Sequence, residues 1–255
     1  MHDLALLTDA ARAAGEIALR FWQNTPQVWD KSDASPVTEA DIAVNDMLHS
    51  RLRAARPSYG WLSEETPDDT NRLECEHIFI IDPIDGTRAF IAGEKHFSHS
   101  LAVAKNGVIT AAVVYVPALD RLYAATVDGP AIVNNVPIQA STKTLQDHPN
   151  MLISKATLAT DHWQGPPPDM QRSFRASVAY RLALVGDGSF DGMLSFRQSW
   201  EWDIAAGSLI AARAGAKVCD IDGNQVRFNS PSAQSNGIFA GSSTLFKDLS
   251  PHFKQ

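Results

Sequence analysis

Cysteine is scarce in this chain: two in 255 residues, Cys75 and Cys219. They form no disulfide framework, and neither belongs to a Cys/His constellation, which speaks for a reducing cytoplasm and against zinc or a thiol nucleophile. Long apolar runs are missing as well. No stretch approaches the roughly 18 residues that a membrane-spanning helix needs. The opening Met1-His2-Asp3 has no basic stretch leading into an apolar run, so neither secretion nor a membrane span is expected. Positive charge is in deficit, 22 Lys and Arg against 29 Asp and Glu, for a net charge of −7. That balance argues against a nucleic-acid polymer or an anionic membrane surface as partner. It leaves a phosphate substrate open, because a bound divalent cation reverses the local sign. No internal repeat or low-complexity tract occurs. What remains is an ordinary globular composition, 44% hydrophobic and 20% charged, in a chain long enough for one large domain or two small ones.

The stretch around which the chain is organised is Ile78-Phe79-Ile80-Ile81-Asp82-Pro83-Ile84-Asp85-Gly86-Thr87. Four consecutive apolar residues, β-branched or aromatic, predict a strand buried on both faces. Pro83 has no N–H, so the ladder is expected to stop there. Gly86 permits a tight turn and Thr87 is placed to cap a following helix over 88–93. One strand end thereby carries Asp82, Asp85, the Ile84 carbonyl and free helix-start amides, a set suited to a divalent cation and a phosphate together. The plainer alternative is an Asp-Gly hairpin turn with solvated acids.

The rest of the chain supplies the setting. Leu6, Leu7, Ala10, Ala14, Ile17, Ala18 and Phe21 recur at helical spacing over 3–22. Thr38-Glu39-Ala40-Asp41 has the form of a capping box at the start of a helix that runs to Pro57. Tyr59 to Glu65 reads as a short strand ending in two acids. His96 and His99, three apart on a strand, project to opposite faces and make no joint metal site. Leu101–Ala104 and 108–116, joined by Asn106-Gly107, predict a hairpin, with further strands over 122–126 and 131–133. From about residue 140 the pattern alternates: strand 151–154, helix from Val178, strand near Met193, helix from Asp203, strands at 217–219 and 237–240. The expected division is an α+β domain over 1–139 and an α/β domain over 140–255. Trp200-Glu201-Trp202-Asp203 precedes a small-residue helix start, where Asp203 could serve simply as an N-cap.

Three of these segments carry a resemblance. Asp82-Pro83-Ile84-Asp85-Gly86-Thr87 resembles the DP(I/L)DGT motif of the inositol monophosphatase superfamily, the lithium-sensitive Mg2+ phosphatases. Glu64-Glu65 and Trp202-Asp203 resemble its other two motifs, in the right order, and the likeness covers nearly the whole chain. It implies a layered αβαβα sandwich and a metal-dependent phosphoric monoester hydrolase holding two or three Mg2+ ions per site. It assigns the metals to Glu64, Asp82, the Ile84 carbonyl, Asp85 and Asp203, with Glu65 in support. It pairs Thr87 with Asp41, in Val37-Thr38-Glu39-Ala40-Asp41, to orient the attacking water, and gives the phosphate to the Gly86 and Thr87 amides. A homodimer and an active-site loop bearing Lys31 are implied too. Acids brought that close repel by roughly 4 kcal/mol per pair at about 4 Å and cannot stay ionised without cations. The Ala214-Gly215-Ala216 turn has one Gly fewer than the family's pattern.

Substrate is read from the residues before Trp202. Phe196 stands where inositol monophosphatases commonly carry a Glu. With Arg197 and Glu201 it looks more like the 3′(2′),5′-bisphosphate nucleotidase branch, an aromatic stacking on adenine and an Arg holding a second phosphate. Phe196 could equally be a core residue at a strand end. Inositol monophosphatase and histidinol phosphatase are the alternatives, and a non-catalytic regulator with the same fold is the reading from another class.

Overall fold

The computed structural model describes residues 2–24, 26–30 and 35–254. Its five layers follow from which residues each element must bury. Helices α1 (Asp3–Phe21) and α2 (Glu39–Ala55) form the first layer, packed on each other through Leu7, Ala10, Ala14, Val44 and Leu48, all fully buried. The ribbon of β1 (Val28–Asp30) and β2 (Pro36–Thr38) lies between them in sequence.

The second layer is a seven-stranded sheet in sequential order: β3 (Gly60–Ser63), β4 (His77–Asp85), β5 (Ser98–Lys105), β6 (Val108–Val116), β7 (Arg121–Thr126), β8 (Ile132–Val133) and β9 (Val136–Pro137). Only β3 and β4 run parallel. Alternation sorts the side chains by layer. Phe79, Ile81, Leu101 and Val103 face α1 and α2, while Ile78, Ile80, Ala102 and Ala104 face the third layer. A strand covered on both sides has no polar alternation, which is why β4 reads as a continuous apolar run.

Helices α4 (Val178–Gly186) and α5 (Glu201–Arg213) make the third layer, and the short α3 (Thr87–Ile91) follows β4 directly. The two long helices approach closely because Gly207 has no side chain: a Cβ there would sit 2.5 Å from Leu182 Cβ. A five-stranded sheet is the fourth layer, built from β10 (Asn150–Leu152), β11 (Gln171–Ser173), β12 (Gly192–Ser195), β14 (Lys217–Cys219) and β16 (Ile238–Gly241) in the order β11-β10-β12-β16-β14. A small ribbon of β13 (Ser199–Trp200) and β15 (Gln234–Ser235) sits beside it. Helix α6 (Ser243–Leu249) closes the fifth layer over Met151, Leu194, Cys219 and Phe239. The arrangement is the expected αβαβα sandwich. The boundary expected near residue 140 falls between two strand sets that share one apolar core, which runs from Ile78 through Leu182 and Ile210 to Ile238.

Local expectations are corrected in three places. Strand β4 does not stop at Pro83 but continues to Asp85, since the missing N–H falls in a bulge where it costs no ladder bond. Gly86, not Thr87, is the N-cap of α3. Helix α5 starts at Glu201, so Asp203 is not an N-cap but a first-turn residue. The single Gly215, at φ +101, suffices for the turn after α5, with nothing within 4 Å of where its Cβ would be.

Candidate active site

The bulge in β4 creates the site. Asp82 pairs with Ser100 and Asp85 with Ser98, so Pro83 and Ile84 together stand opposite the single residue His99. Directly opposed residues share a face, and Ser98 and Ser100 are two apart on β5. Both aspartates are therefore turned toward α4 and α5, which an unbroken strand would have prevented for residues three apart. Gly86 follows at φ +93, in the left-handed region, where a Cβ would approach the Ser177 amide nitrogen to 3.2 Å. On the other face His99 Nδ1 bonds the Pro83 carbonyl, and burial holds its pKa down at about 4. The imidazole is accordingly neutral and donates its Nδ1 proton to that carbonyl.

Two serines opposite the bulge tie the helices to it. Ser100 Oγ donates to the Trp202 carbonyl at 2.8 Å and so anchors the first turn of α5, delivering Asp203. Ser98 Oγ lies 2.9 Å from Ser177 Oγ, and Ser177 donates to Asp85 Oδ2 at 2.7 Å while also capping α4. The Ala179 amide donates to the same oxygen at 2.6 Å. Glu64 arrives from β3, its amide bonded to the Ile81 carbonyl at 3.2 Å. Its turn is braced from below by Asn45 Oδ1, which accepts from Ser63 Oγ at 2.8 Å.

One carboxylate oxygen from each of Glu64, Asp82 and Asp203 falls within 4.8 Å of the other two. Asp85 borders this group, and its charge acts on both Asp82 and Asp203. Burial first, then the charges of Glu64, Asp85, Asp203 and Glu65, hold the Asp82 pKa well above the carboxylate range. Asp203 is raised by burial, then Asp85 and Glu64, against the opposing charges of Arg197 and Arg181. Asp85, pushed up by burial to about 6, is relieved by its Ser177 and Ala179 bonds. Asp82 Oδ1 is fully enclosed and has no hydrogen-bond partner among the described residues. A buried oxygen without a donor, ringed by three further acids, is what an oxygen-coordinating cation satisfies.

Beside the cluster, Thr38 and Asp41 form the expected capping box, with Thr38 N donating to Asp41 Oδ2 at 2.8 Å. The same aspartate reaches the site: Thr87 Oγ1 lies 3.4 Å from Asp41 Oδ1 and 3.1 Å from the Ile84 carbonyl. Asp41 thus both caps α2 and reaches Thr87.

The expected substrate contacts divide. Arg197 is exposed, and its charge reaches Asp203 and Arg181. Phe196 is turned away into an aromatic cluster, stacked on His162 at 4.6 Å and edge-on to Trp163 and Phe253. Glu201 is fully buried, its two oxygens taken by the Asn229 and Ser230 amides at 2.6 and 2.8 Å, so it clamps a loop rather than meeting a ligand. Lys31 lies outside the described residues. Sequence reading missed Ser98, Ser100, Ser177 and Arg181. The last is the single charge in Val-Ala-Tyr-Arg-Leu-Ala-Leu-Val-Gly, and a lone guanidinium in an apolar helix is itself a signal. It is 8% exposed, and its charge acts on Asp85 and Asp203.

Comparison with known proteins places the chain among relatives along nearly its whole length. The model of the inositol monophosphatase family matches residues 2–253. An inositol-1-monophosphatase of Rhizobium meliloti (strain 1021) is 34% identical over 223 residues, 84% of this chain and 80% of its own. A 3′-phosphoadenosine 5′-phosphate phosphatase of Mycobacterium leprae (strain TN) is 32% identical over 251 residues, 90% of this chain and 85% of its own. The solved structure of a Thermotoga maritima IMPase superposes with a TM-score of 0.83 at 25% identity, covering 98% of this chain and 96% of that one. No helix among the described residues is long and apolar enough to cross a membrane.

Proposed function

The chain belongs to the inositol monophosphatase family and is a phosphoric monoester hydrolase, and on that premise we propose that it is a Mg2+-dependent phosphatase of 3′(2′),5′-bisphosphate nucleotides. The observation that carries the metal dependence is the buried Asp82 carboxylate: its Oδ1 has no hydrogen-bond partner among the described residues, and one of its oxygens lies within 4.8 Å of oxygens from Glu64 and Asp203. An all-oxygen donor set suits Mg2+. Glu64, Asp82 and the Ile84 carbonyl would hold one ion, and Asp82, Asp85 and Asp203 a second. Bound Mg2+ supplies Lewis-acid polarisation of the phosphoryl group and activation of the attacking water.

The protein's own part is positioning and proton handling. Thr87 Oγ1, donating to Asp41 Oδ1, presents a lone pair that accepts a hydrogen bond from the attacking water and orients it. The Gly86 and Thr87 amides, at the start of α3, have no acceptor within the helix and would take two phosphoryl oxygens. Ser177 and Ala179 fix Asp85 so that the bulge keeps its shape when charge develops. The lean to a bisphosphate rests on Arg197 and Arg181, two guanidiniums beside the acids, which match a second phosphate.

Inositol 1-phosphate is the second reading, favoured by the 34% identity to the Rhizobium meliloti inositol-1-monophosphatase. Phosphate release from adenosine 3′,5′-bisphosphate, inositol 1-phosphate and histidinol phosphate, each with Mg2+ and with EDTA, separates the readings. The expected result is EDTA-abolished activity, fastest on the nucleotide. Activity that survives EDTA overturns the metal assignment, and a nucleotide that is the poorest of the three overturns the substrate.

A further inference from the structure

With Phe196 turned into the aromatic cluster, the site as first read lacks a surface for a nucleobase. Another aromatic is available. Phe174 is 47% exposed and stands three residues before Ser177, on the segment that leads into α4 and thence to Asp85. The Arg181 guanidinium covers one face of its ring, 4.4 Å from the centroid. That guanidinium is itself fixed by the carbonyls of Arg175 and Ala176, and Arg175 Nη1 donates to the Phe174 carbonyl at 2.7 Å. One face of the ring is therefore backed by Arg181, the ring is half-exposed, and it sits three residues from the serine that bonds Asp85.

Single exposed apolar side chains are ordinary on protein surfaces. This one differs in its backing. Arg181 is nearly buried, remains cationic although burial lowers its pKa to about 10, and acts electrostatically on Asp85 and Asp203. Arg197 adds a second cation that is sensed by both Arg181 and Asp203. An aromatic face beside two cations and an acidic metal cluster complements one kind of ligand: a phosphorylated compound with a planar ring.

Resting on the phosphomonoesterase reading above, we propose that the free face of Phe174, backed by Arg181, is the stacking platform for the base of a nucleotide substrate. A stacked base contributes binding that a non-aromatic phosphomonoester cannot obtain, so the ring selects for substrate without touching the reacting phosphate. Phe174 is thus a specificity-determining residue, and Asp82 chemistry proceeds without it.

The test compares wild type with Phe174→Ala and Phe174→Tyr on adenosine 3′,5′-bisphosphate and inositol 1-phosphate, under saturating Mg2+. Thermal melts confirm folding, which removal of an exposed ring should leave intact. The expected result is a rise in KM of about 10-fold or more for the nucleotide in Phe174→Ala. Its kcat should hold, both constants for inositol 1-phosphate should hold, and Tyr should restore the nucleotide KM. If wild type favours the nucleotide while Phe174→Ala leaves its KM unchanged, the platform is overturned and the nucleotidase reading stands. If the nucleotide is the poorer substrate of wild type, that reading falls and the platform with it.

Discussion

Replacing Asp82 by Asn should do two opposite things if the proposed metal site is right, because its carboxylate is crowded by acids whose repulsion a cation would relieve. The Asp82 carboxylate shares its 4.8 Å neighbourhood with Glu64 and Asp203. At an effective dielectric near 20, each such pair repels by about 3.5 kcal/mol when both members are ionised. The wild type relieves part of this by taking up protons, as its raised Asp82 and Asp203 pKa values indicate. An amide removes the central charge outright and offers N–H donors to the remaining acids. In EDTA at pH 8, Asp82→Asn should therefore be more stable than wild type by about 1–3 kcal/mol, a rise in Tm of about 3–10 °C for a chain of this size. With Mg2+ the order should reverse. Wild type gains about 2.7 kcal/mol at a hundredfold excess over Kd, whereas the variant, lacking the shared ligand, gains much less and releases no phosphate. Thermal melts across a Mg2+ series, with phosphate release in parallel, read both effects. A variant that melts below wild type in EDTA, yet gains as much from Mg2+, would refute the claim that these acids are held together for a metal.

Two further outcomes follow from neighbouring geometry. Thr87→Ala removes the hydroxyl that links Asp41 to the site and should lower kcat by about 10²–10⁴ while leaving KM within a few-fold, measured by steady-state phosphate release. His99, its pKa lowered by burial from 6.5 to about 4, binds its proton in the unfolded chain before the folded one. Its contribution is fully present above pH 6.5 and is lost as pH falls through 4. The stability of wild type relative to His99→Leu should therefore fall by about 2–3 kcal/mol between pH 7.5 and 4.5, read by urea denaturation; a pH-independent difference would contradict a neutral buried imidazole.

Much of the site was legible because its chemistry is local. Asp82, Ile84, Asp85, Gly86 and Thr87 are consecutive or nearly so, and a run of apolar residues ending in acids and a Gly identifies a strand-to-turn junction wherever it occurs. The capping box at Thr38 and Asp41 is local in the same sense, and both of its expected bonds are present. Short-range periodicity placed α1, α2, α4 and the β5–β6 hairpin within a few residues. What periodicity could not resolve were the short pieces, such as β11 and α6, whose three and seven residues carry too few repeats to register.

The sequence by itself determined the carboxylates of the candidate site, their order and the two-faced burial of β4, since these depend on side-chain chemistry and spacing alone. Only the tertiary structure decided which oxygens meet. The bulge opposite His99 turns Asp82 and Asp85 to one face, and Ser100 and Ser177 then bring α5 and α4 to them across gaps of 102 and 92 residues. It also decided that Phe196 lies in an aromatic cluster and Glu201 clamps the Asn229–Ser230 loop, while the Arg181 charge acts on Asp85 and Asp203. The physical reason is that a side chain's direction is set by the strand parity and packing of its own element, and neither is expressed in the identity of the residue.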